Sequence, residues 1–256
     1  MLELEAAASG KVLVIGHRGA MGHAPENTIA SFQKGYEMHA DIIELDIHLS
    51  KDGELVVMHD GDVRRTTKGR GHIKDMTLEE IKSLDAGSHF GSAFKAERVP
   101  TLSEVLLWAK EKLPLAIEIK GDPHPTAGIE EKLLGHLREF QMLDRVMVIS
   151  FHHTSVKRVK ELEPSVATGV LFTGRLVNVV EAAKDALADS VRPSWHYWSA
   201  ELVNEVHDAG LTASTWTVND EGTMEYLIEM GIDSIGTDYP DRLREVLNRL
   251  GRSWRT

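Results

Sequence analysis

The sequence predicts an α/β fold, a (β/α)8 TIM barrel with a small insertion after strand 2. Three observations carry this. Short apolar runs alternate with amphipathic segments along most of the chain, and eight of those runs are joined by helix-length connections of the kind parallel strands require. The chain, 256 residues with 42% hydrophobic content, is also long enough to bury one large core.

The first run, Val12 to Gly16, leads into His17-Arg18-Gly19 and a loop containing Pro25. An amphipathic segment from Asn27 to His39 follows, with Ile29, Phe32 and Tyr36 at helical spacing and Asn27 as the expected N-cap. The next strand begins at Ile42, so this is a βαβ unit with a right-handed crossover. In it Ile43, Leu45, Ile47 and Leu49 share one face, and Glu44, Asp46 and His48 share the other.

Asp52-Gly53 then reads as a two-residue hairpin turn leading into a second apolar run, Leu55 to Met58. That turn pairs Lys51 with Glu54 and sets His59 opposite Asp46, with Cβ atoms roughly 4.5–5.5 Å apart; a bulge would shift the register. A run reached by a tight turn cannot be a parallel barrel strand, so it is left out of the eight.

Gly61 to Pro100 breaks the rhythm. It reads as a small excursion over the active-site end, or as a tolerated surface insertion, with a helix start at Thr77-Leu78-Glu79-Glu80. Alternation then resumes with helix Leu102 to Lys112, strand Leu115 to Lys120, helix Gly128 to Gln141, strand Val146 to Phe151 and helix Thr154 to Leu162. Strand Ala167 to Phe172, helix Leu176 to Leu187, strand Asp189 to Arg192, helix Ala200 to Ala209 and strand Leu211 to Val218 come next. Helix Glu221 to Met230, strand Ser234 to Thr237 and helix Asp241 to Leu250 complete the series. The expectation is a single domain over residues 1–256 with an inserted segment at about 51–100. Alternation alone is also compatible with an open doubly wound sheet.

A net charge of −11 argues against a nucleic-acid partner. The absence of cysteine excludes disulfides and thiolate ligands, leaving histidines and carboxylates for metal or catalysis. The N-terminus has no basic region followed by an apolar run, and no later stretch approaches 18 apolar residues. A cytoplasmic protein without stable membrane insertion is expected.

A barrel's site lies at the C-terminal ends of its strands. There the chain supplies His17 and Arg18, then Glu44 and Asp46 with His59 returned by the hairpin, then Glu118 and Lys120. Three carboxylates from two adjacent strands repel one another unless protonated or neutralised by a divalent cation such as Mg2+ or Ca2+. Taken singly each has a plainer role: Glu118 as an ion pair with Lys120, Asp46 as a support for His59. Two histidines, with ordinary pKa values near 6.5, suit a general acid and base, and Arg18 and Lys120 suit a phosphate. Together they suggest metal-assisted displacement at phosphorus.

Phe151, Phe172 and Trp216 are candidate walls for the organic part of a substrate, Trp216 foremost, or else plain core. Asn219 is a candidate site residue or a helix cap, and Trp195 and Trp198 a homodimer contact or a loop anchor. His23, His48, His152 and His153 show no metal-ligand spacing, and the adjacent pair diverges in extended chain.

His17-Arg18-Gly19, Pro25-Glu26-Asn27-Thr28, Glu44-Leu45-Asp46, His59-Asp60, Arg65-Thr66-Thr67, Arg98-Val99-Pro100-Thr101-Leu102, Glu118-Ile119-Lys120 and Thr237-Asp238-Tyr239-Pro240 run in that order over nearly the whole chain. In this the sequence resembles the glycerophosphodiester phosphodiesterases. The resemblance implies that Glu44, Asp46 and Glu118 bind a divalent cation, that His17 and His59 are the acid–base pair, and that Arg18, assisted by Lys120, contacts the phosphate. It implies hydrolysis of a small-molecule glycerophosphodiester to sn-glycerol 3-phosphate and an alcohol. A lyase releasing a cyclic phosphate and a non-catalytic phosphate-binding barrel are the alternatives, and a sugar-phosphate isomerase or aldolase has thin support in Gly231, Gly236 and Lys120.

Overall fold

The computed structural model describes residues 6, 8–121 and 123–254. Eight parallel strands close into a barrel: β1 (Leu13–Gly16), β2 (Ile42–Leu49), β4 (Leu115–Ile119), β5 (Val146–Ser150), β6 (Ala167–Phe172), β7 (Ser190–Pro193), β8 (Thr212–Thr215) and β9 (Ser234–Thr237). The order is β1-β9-β8-β7-β6-β5-β4-β2, and a β1–β2 pairing completes the ring, so the open-sheet alternative does not hold. The remaining strand, β3 (Leu55–Val57), is the hairpin return and lies antiparallel on β2.

Helices α1 (Ile29–Glu37), α3 (Leu102–Ala109), α4 (Ile129–Phe140), α5 (His153–Leu162), α6 (Val179–Asp185), α7 (Ala200–Asp208), α8 (Glu221–Met230) and α9 (Pro240–Leu250) follow the barrel strands in turn, and α2 (Leu78–Lys82) lies in the excursion. Strand alternation separates two cores. Ile43, Leu45, Ile47, Ile117, Ile119, Val148 and Ile235 join the helices' inner faces in the larger cluster. Leu13, Ile15, Ile42, Ala116, Met147, Ile149 and Leu171 fill the barrel interior.

Local chemistry sets the ends of these elements. Thr77 and Thr101 start α2 and α3 with reciprocal capping boxes to Glu80 and Glu104. The cap of α1 is Thr28, whose hydroxyl accepts from the Ser31 N–H, and not the expected Asn27, which adopts a positive φ of 56° and turns inward. Asp220, not Asn219, caps α8 through the Thr223 N–H. Gly19, at φ 94°, is required because a Cβ there would lie 2.5 Å from the Ser31 carbonyl carbon, and that contact sets the β1–α1 loop against α1.

The hairpin departs from the two-residue expectation. Its register pairs Ile47 with Val57 and Leu49 with Leu55, one residue off the predicted pairing. The loop is the three residues 51–53, closed by Gly53 N–H to Ser50 O and Ser50 N–H to Glu54 O, with Gly53 at φ 79°. This is the longer turn with glycine in the left-handed region. Met58, not His59, therefore faces Asp46, its N–H donating to the Asp46 carbonyl at 3.0 Å.

The excursion is packed rather than loose. Val56, Met58, Val63, Ile73, Ile81, Ala86 and Val99 form a separate buried cluster, and Val57 N–H donates to Pro100 O. It stands on the C-terminal end of β2, which brings its first residues to the barrel mouth.

Candidate active site

Three buried carboxylates sit at that mouth. Glu44 and Asp46 project from the inner face of β2 and Glu118 from β4, whose register places Glu118 beside Asp46. One oxygen from each lies within 4.8 Å of the others, and no other group of three such ligands is found among the described residues. Glu44 Oε2 accepts the Arg18 N–H at 2.8 Å, Asp46 Oδ2 accepts from Asn27 Nδ2 at 2.8 Å, and Glu118 Oε1 accepts from Lys120 Nζ at 2.8 Å. Asp46 Oδ1 is buried and accepts no hydrogen bond, with the Lys120 ammonium 3.6 Å away. A hard oxygen cluster with one unsatisfied buried carboxylate oxygen fits a divalent cation.

The charges are unevenly held. Burial, then Asp46 and Glu118, pushes the Glu44 carboxyl well above its ordinary value. Burial and Asp46 likewise raise Glu118 to about 7. Burial acts upward on Asp46 too, but Lys120, Arg18 and His59 outweigh it and hold that carboxyl well below the ordinary range.

A pH dependence follows. Between the ordinary 4.5 and about 7, the metal-free fold keeps on Glu118 a proton that the unfolded chain has released, so its stability falls as pH rises. A cation held by this cluster would bind its deprotonated form, so its stabilising effect would grow over the same window. The Tm increase produced by saturating Mg2+ or Ca2+ is expected to be larger near pH 8 than near pH 5.5. An equal increase at both would count against this cluster as the cation site.

Two histidines stand around the cluster, each backed by a carboxylate. His17 follows β1, and its Nδ1 is 2.7 Å from Asp238 Oδ1. Asp238 is fixed in turn by Asn219, which donates from Nδ2 to Asp238 Oδ2 at 2.7 Å and accepts the Asp238 N–H at 3.0 Å. His59 Nδ1 is 2.6 Å from Asp60 Oδ1. Burial raises the Asp60 carboxyl, but hydrogen bonds from Arg65 and His59 outweigh that and hold it at about 2. Burial lowers His59 itself; Asp46 opposes, while Arg18 and Lys120 reinforce the shift, so its neutral form is favoured near neutral pH. With Nδ1 occupied, each ring is left its Nε2 for chemistry.

Arg18 has a positive φ of 49°, which lets its N–H serve Glu44 while its guanidinium meets Glu26 at 2.8 Å and Asp46 at 3.5 Å. Arg65, in the excursion, bridges Glu26 at 2.6 Å and Asp60 at 2.6 Å. It is therefore a tie between the supports of Arg18 and His59, whereas its neighbour Arg64 is an exposed residue paired with Asp62.

These groups surround a cavity of about 150 Å³ whose lining includes His17, Arg18, Glu44, His59, Glu118, Lys120, Phe151 and Trp216. Phe151 and Trp216 meet edge to face at 5.4 Å, and the Lys120 ammonium lies 5.9 Å from the Phe151 ring centre. Phe172 does not reach the cavity: it is buried in the outer core against His153. Trp198 is a loop anchor, buried with its Nε1–H on Ser214 O. Thr215, Leu171 and Arg192 also line the cavity, and the sequence reading passed over them. Asp60, Arg65 and Asp238 were legible only as members of short motifs, without roles, and the role read for Asn27 was only that of a helix cap.

Residues 17–242 match the model of the glycerophosphoryl diester phosphodiesterase family. A glycerophosphodiester phosphodiesterase of Caldanaerobacter subterraneus subsp. tengcongensis is 44% identical, the match covering 94% of this chain and 100% of that protein. The chain belongs to the glycerophosphoryl diester phosphodiesterase family. As a member it is a phosphoric diester hydrolase. The crystal structure of a putative glycerophosphoryl diester phosphodiesterase from Silicibacter pomeroyi superposes with a TM-score of 0.87 at 28% identity, covering 97% of this chain and 99% of that one. An Oleispira antarctica phosphodiesterase in complex with the product sn-glycerol-3-phosphate superposes at 0.83, with 29% identity over 94% of this chain and 99% of that one. Among the described residues, no helix is long and apolar enough to cross a membrane.

Proposed function

We propose that the chain hydrolyses glycerophosphodiesters to sn-glycerol 3-phosphate and an alcohol, with Glu44, Asp46 and Glu118 holding Mg2+ or Ca2+ and with His17 and His59 as the acid–base pair. Residues 1–256 act as one catalytic domain, the segment at about 51–100 serving as an insertion that delivers His59. The observation that carries this reading is the pair of carboxylate-backed histidines, His17 on Asp238 and His59 on Asp60, at the rim of one buried carboxylate cluster. Binding alone needs no such pair, whereas displacement at phosphorus needs one group to take a proton from the incoming oxygen and another to give one to the departing oxygen.

Arg18 and Lys120 orient the anionic phosphodiester and counter its charge as it builds. Each is also held by carboxylates, so the site stays balanced before substrate arrives. The bound cation supplies further neutralisation of phosphate oxygen charge. Phe151 and Trp216 form an apolar wall that accepts carbon and excludes water.

The test is product analysis by phosphorus NMR with glycerophosphocholine, using metal-stripped protein before and after Mg2+ or Ca2+ and a His17→Ala control. Cation-dependent sn-glycerol 3-phosphate, lost in the control, is the expected result. A persistent cyclic phosphate would make the chain a lyase, and cation binding without turnover of any glycerophosphodiester would make it a receptor.

A further inference from the structure

A second recess adjoins the first across Lys120, which lines both. It is lined by His48, Leu49, Gly61, His72, Ile73, Lys74, Gly121, His124 and Thr126 in addition to Lys120, with a volume of about 40 Å³. In a chain of net charge −11, five of those ten side-chain positions are histidine or lysine, and among the described residues the lining includes no carboxylate. Of the five, Lys120 is shared with Glu118 and Asp46 and His48 is held by the His59 carbonyl, so His72, Lys74 and His124 are the groups left to meet a compact, multiply charged anion.

The fold holds these groups in place. Ile73 is buried in the excursion's own core, and its N–H donates to Gly61 O at 2.9 Å, so the flanking His72 and Lys74 stand beside Gly61. His72 also bridges Asp62 in antiparallel fashion. His48 Nε2 lies 3.1 Å from the carbonyl oxygen of His59, which joins the recess wall to the backbone of a residue at the catalytic mouth. The His124 ring meets the His152 ring at 6.0 Å on the far side. Glycine at 121 lets the following loop fold back on it: a Cβ there would lie 2.4 Å from Pro125 N and 2.5 Å from the His124 carbonyl carbon, so His124 is held against the end of β4. None of the acid–base or cation-binding roles assigned above uses His72, Lys74, His124 or Thr126.

We propose that this recess is a second anion subsite, taking a further phosphate group carried on the alcohol of the diester, so that phosphorylated alcohols are preferred leaving groups. The inference rests on the phosphodiesterase reading above. A substrate whose reacting phosphate meets Arg18 and Lys120 passes the shared Lys120 side chain to enter the recess, where Lys74, His72, His124 and the Thr126 hydroxyl meet the second phosphate.

The experiment compares kcat/KM for sn-glycero-3-phosphoinositol and its inositol 4-phosphate counterpart, with wild type, Lys74→Glu, His72→Ala and Lys74→Arg, each checked by thermal melting. The expected result is a preference for the phosphorylated substrate that falls about tenfold in Lys74→Glu, less in His72→Ala, and is kept in Lys74→Arg. A ratio near unity in wild type, or one unaffected by Lys74→Glu, overturns the subsite. Inhibition by inorganic phosphate that Lys74→Glu relieves, without any preference between the diesters, would show a site for the free anion and likewise overturns it. If neither diester yields sn-glycerol 3-phosphate, the phosphodiesterase reading itself fails; equal turnover of both removes only this inference.

Discussion

Glu44→Gln is expected to lower turnover about a hundredfold to a thousandfold while leaving the metal-free protein at least as stable as wild type near pH 8. Glu44 is the carboxylate whose charged form is most disfavoured, since burial, Asp46 and Glu118 all act against it. Glutamine keeps the shape and an oxygen for the Arg18 N–H that Glu44 accepts at 2.8 Å, but removes one of three converging negative charges. Without a cation that removal relieves repulsion in the folded state; with one, it removes an anionic ligand. The Tm increase on adding Mg2+ or Ca2+ should therefore shrink as activity is lost. Paired melts and rate assays check this. A variant with wild-type turnover and an undiminished cation response would show that Glu44 is no ligand, and a metal-free protein that melts much lower would make its role chiefly structural.

Most of the barrel was legible because its signals are local and repeated. Apolar runs such as Leu115–Ile119 and Val146–Ser150 have no competing period, and α8 and β9 appear with the predicted ends. Closure itself is not local: it depends on β1 meeting both β2 and β9, and the alternation of elements states nothing about which strands meet. The carboxylates were legible because period two puts Glu44 and Asp46 on one face whatever the sheet does next.

The proximity of His59 to the cluster was expected through a register that proves one residue off. Asp52-Gly53 serves both two- and three-residue turns, and here Lys51 joins the loop, with Gly53 supplying the positive φ. His59 still reaches the site because the chain leaves the β2–β3 ladder just before it and Asp60 then holds the ring. Asn27 was misread as a cap, and a cap was one of the two readings of Asn219, for a common reason. Asparagine beside a helix start reads as a cap, but Thr28 and Asp220 offered better-placed caps, freeing the two amides to orient Asp46 and Asp238. Arg65 was opaque because its partners, Glu26 and Asp60, lie 39 and 5 residues away, and their convergence belongs to the packed excursion.

On the proposed acid–base reading, replacing the two carboxylates behind the histidines tells base from acid. Each histidine's Nδ1 faces a carboxylate; burial alone would raise both Asp60 and Asp238, but Arg65 and then His59 hold Asp60, and His17 chiefly holds Asp238, below the ordinary range. An ionised partner accepts from Nδ1–H, so the neutral ring carries its lone pair on Nε2, the form a general base needs. Asparagine at position 238 or 60 removes the negative charge and can present its amide N–H to Nδ1, moving the ring proton to Nε2. Where the histidine is the base, that tautomer is wrong, and turnover should fall on the order of 10³–10⁴-fold. Where it is the acid, the proton sits on the useful nitrogen, but loss of the carboxylate lowers the imidazolium pKa. The alkaline limb of the pH–rate profile then moves to lower pH, with a smaller loss under mildly acidic conditions. Asp238→Asn and Asp60→Asn should therefore differ in kind, one collapsing at every pH and the other shifting its profile, and the collapsing variant marks the base. Asp60→Asn also loosens Arg65 from one of its two partners, so an Arg65→Ala control isolates that contribution. Near-full activity in both asparagine variants would refute the acid–base pair, because histidines that work without their carboxylates are not oriented by them.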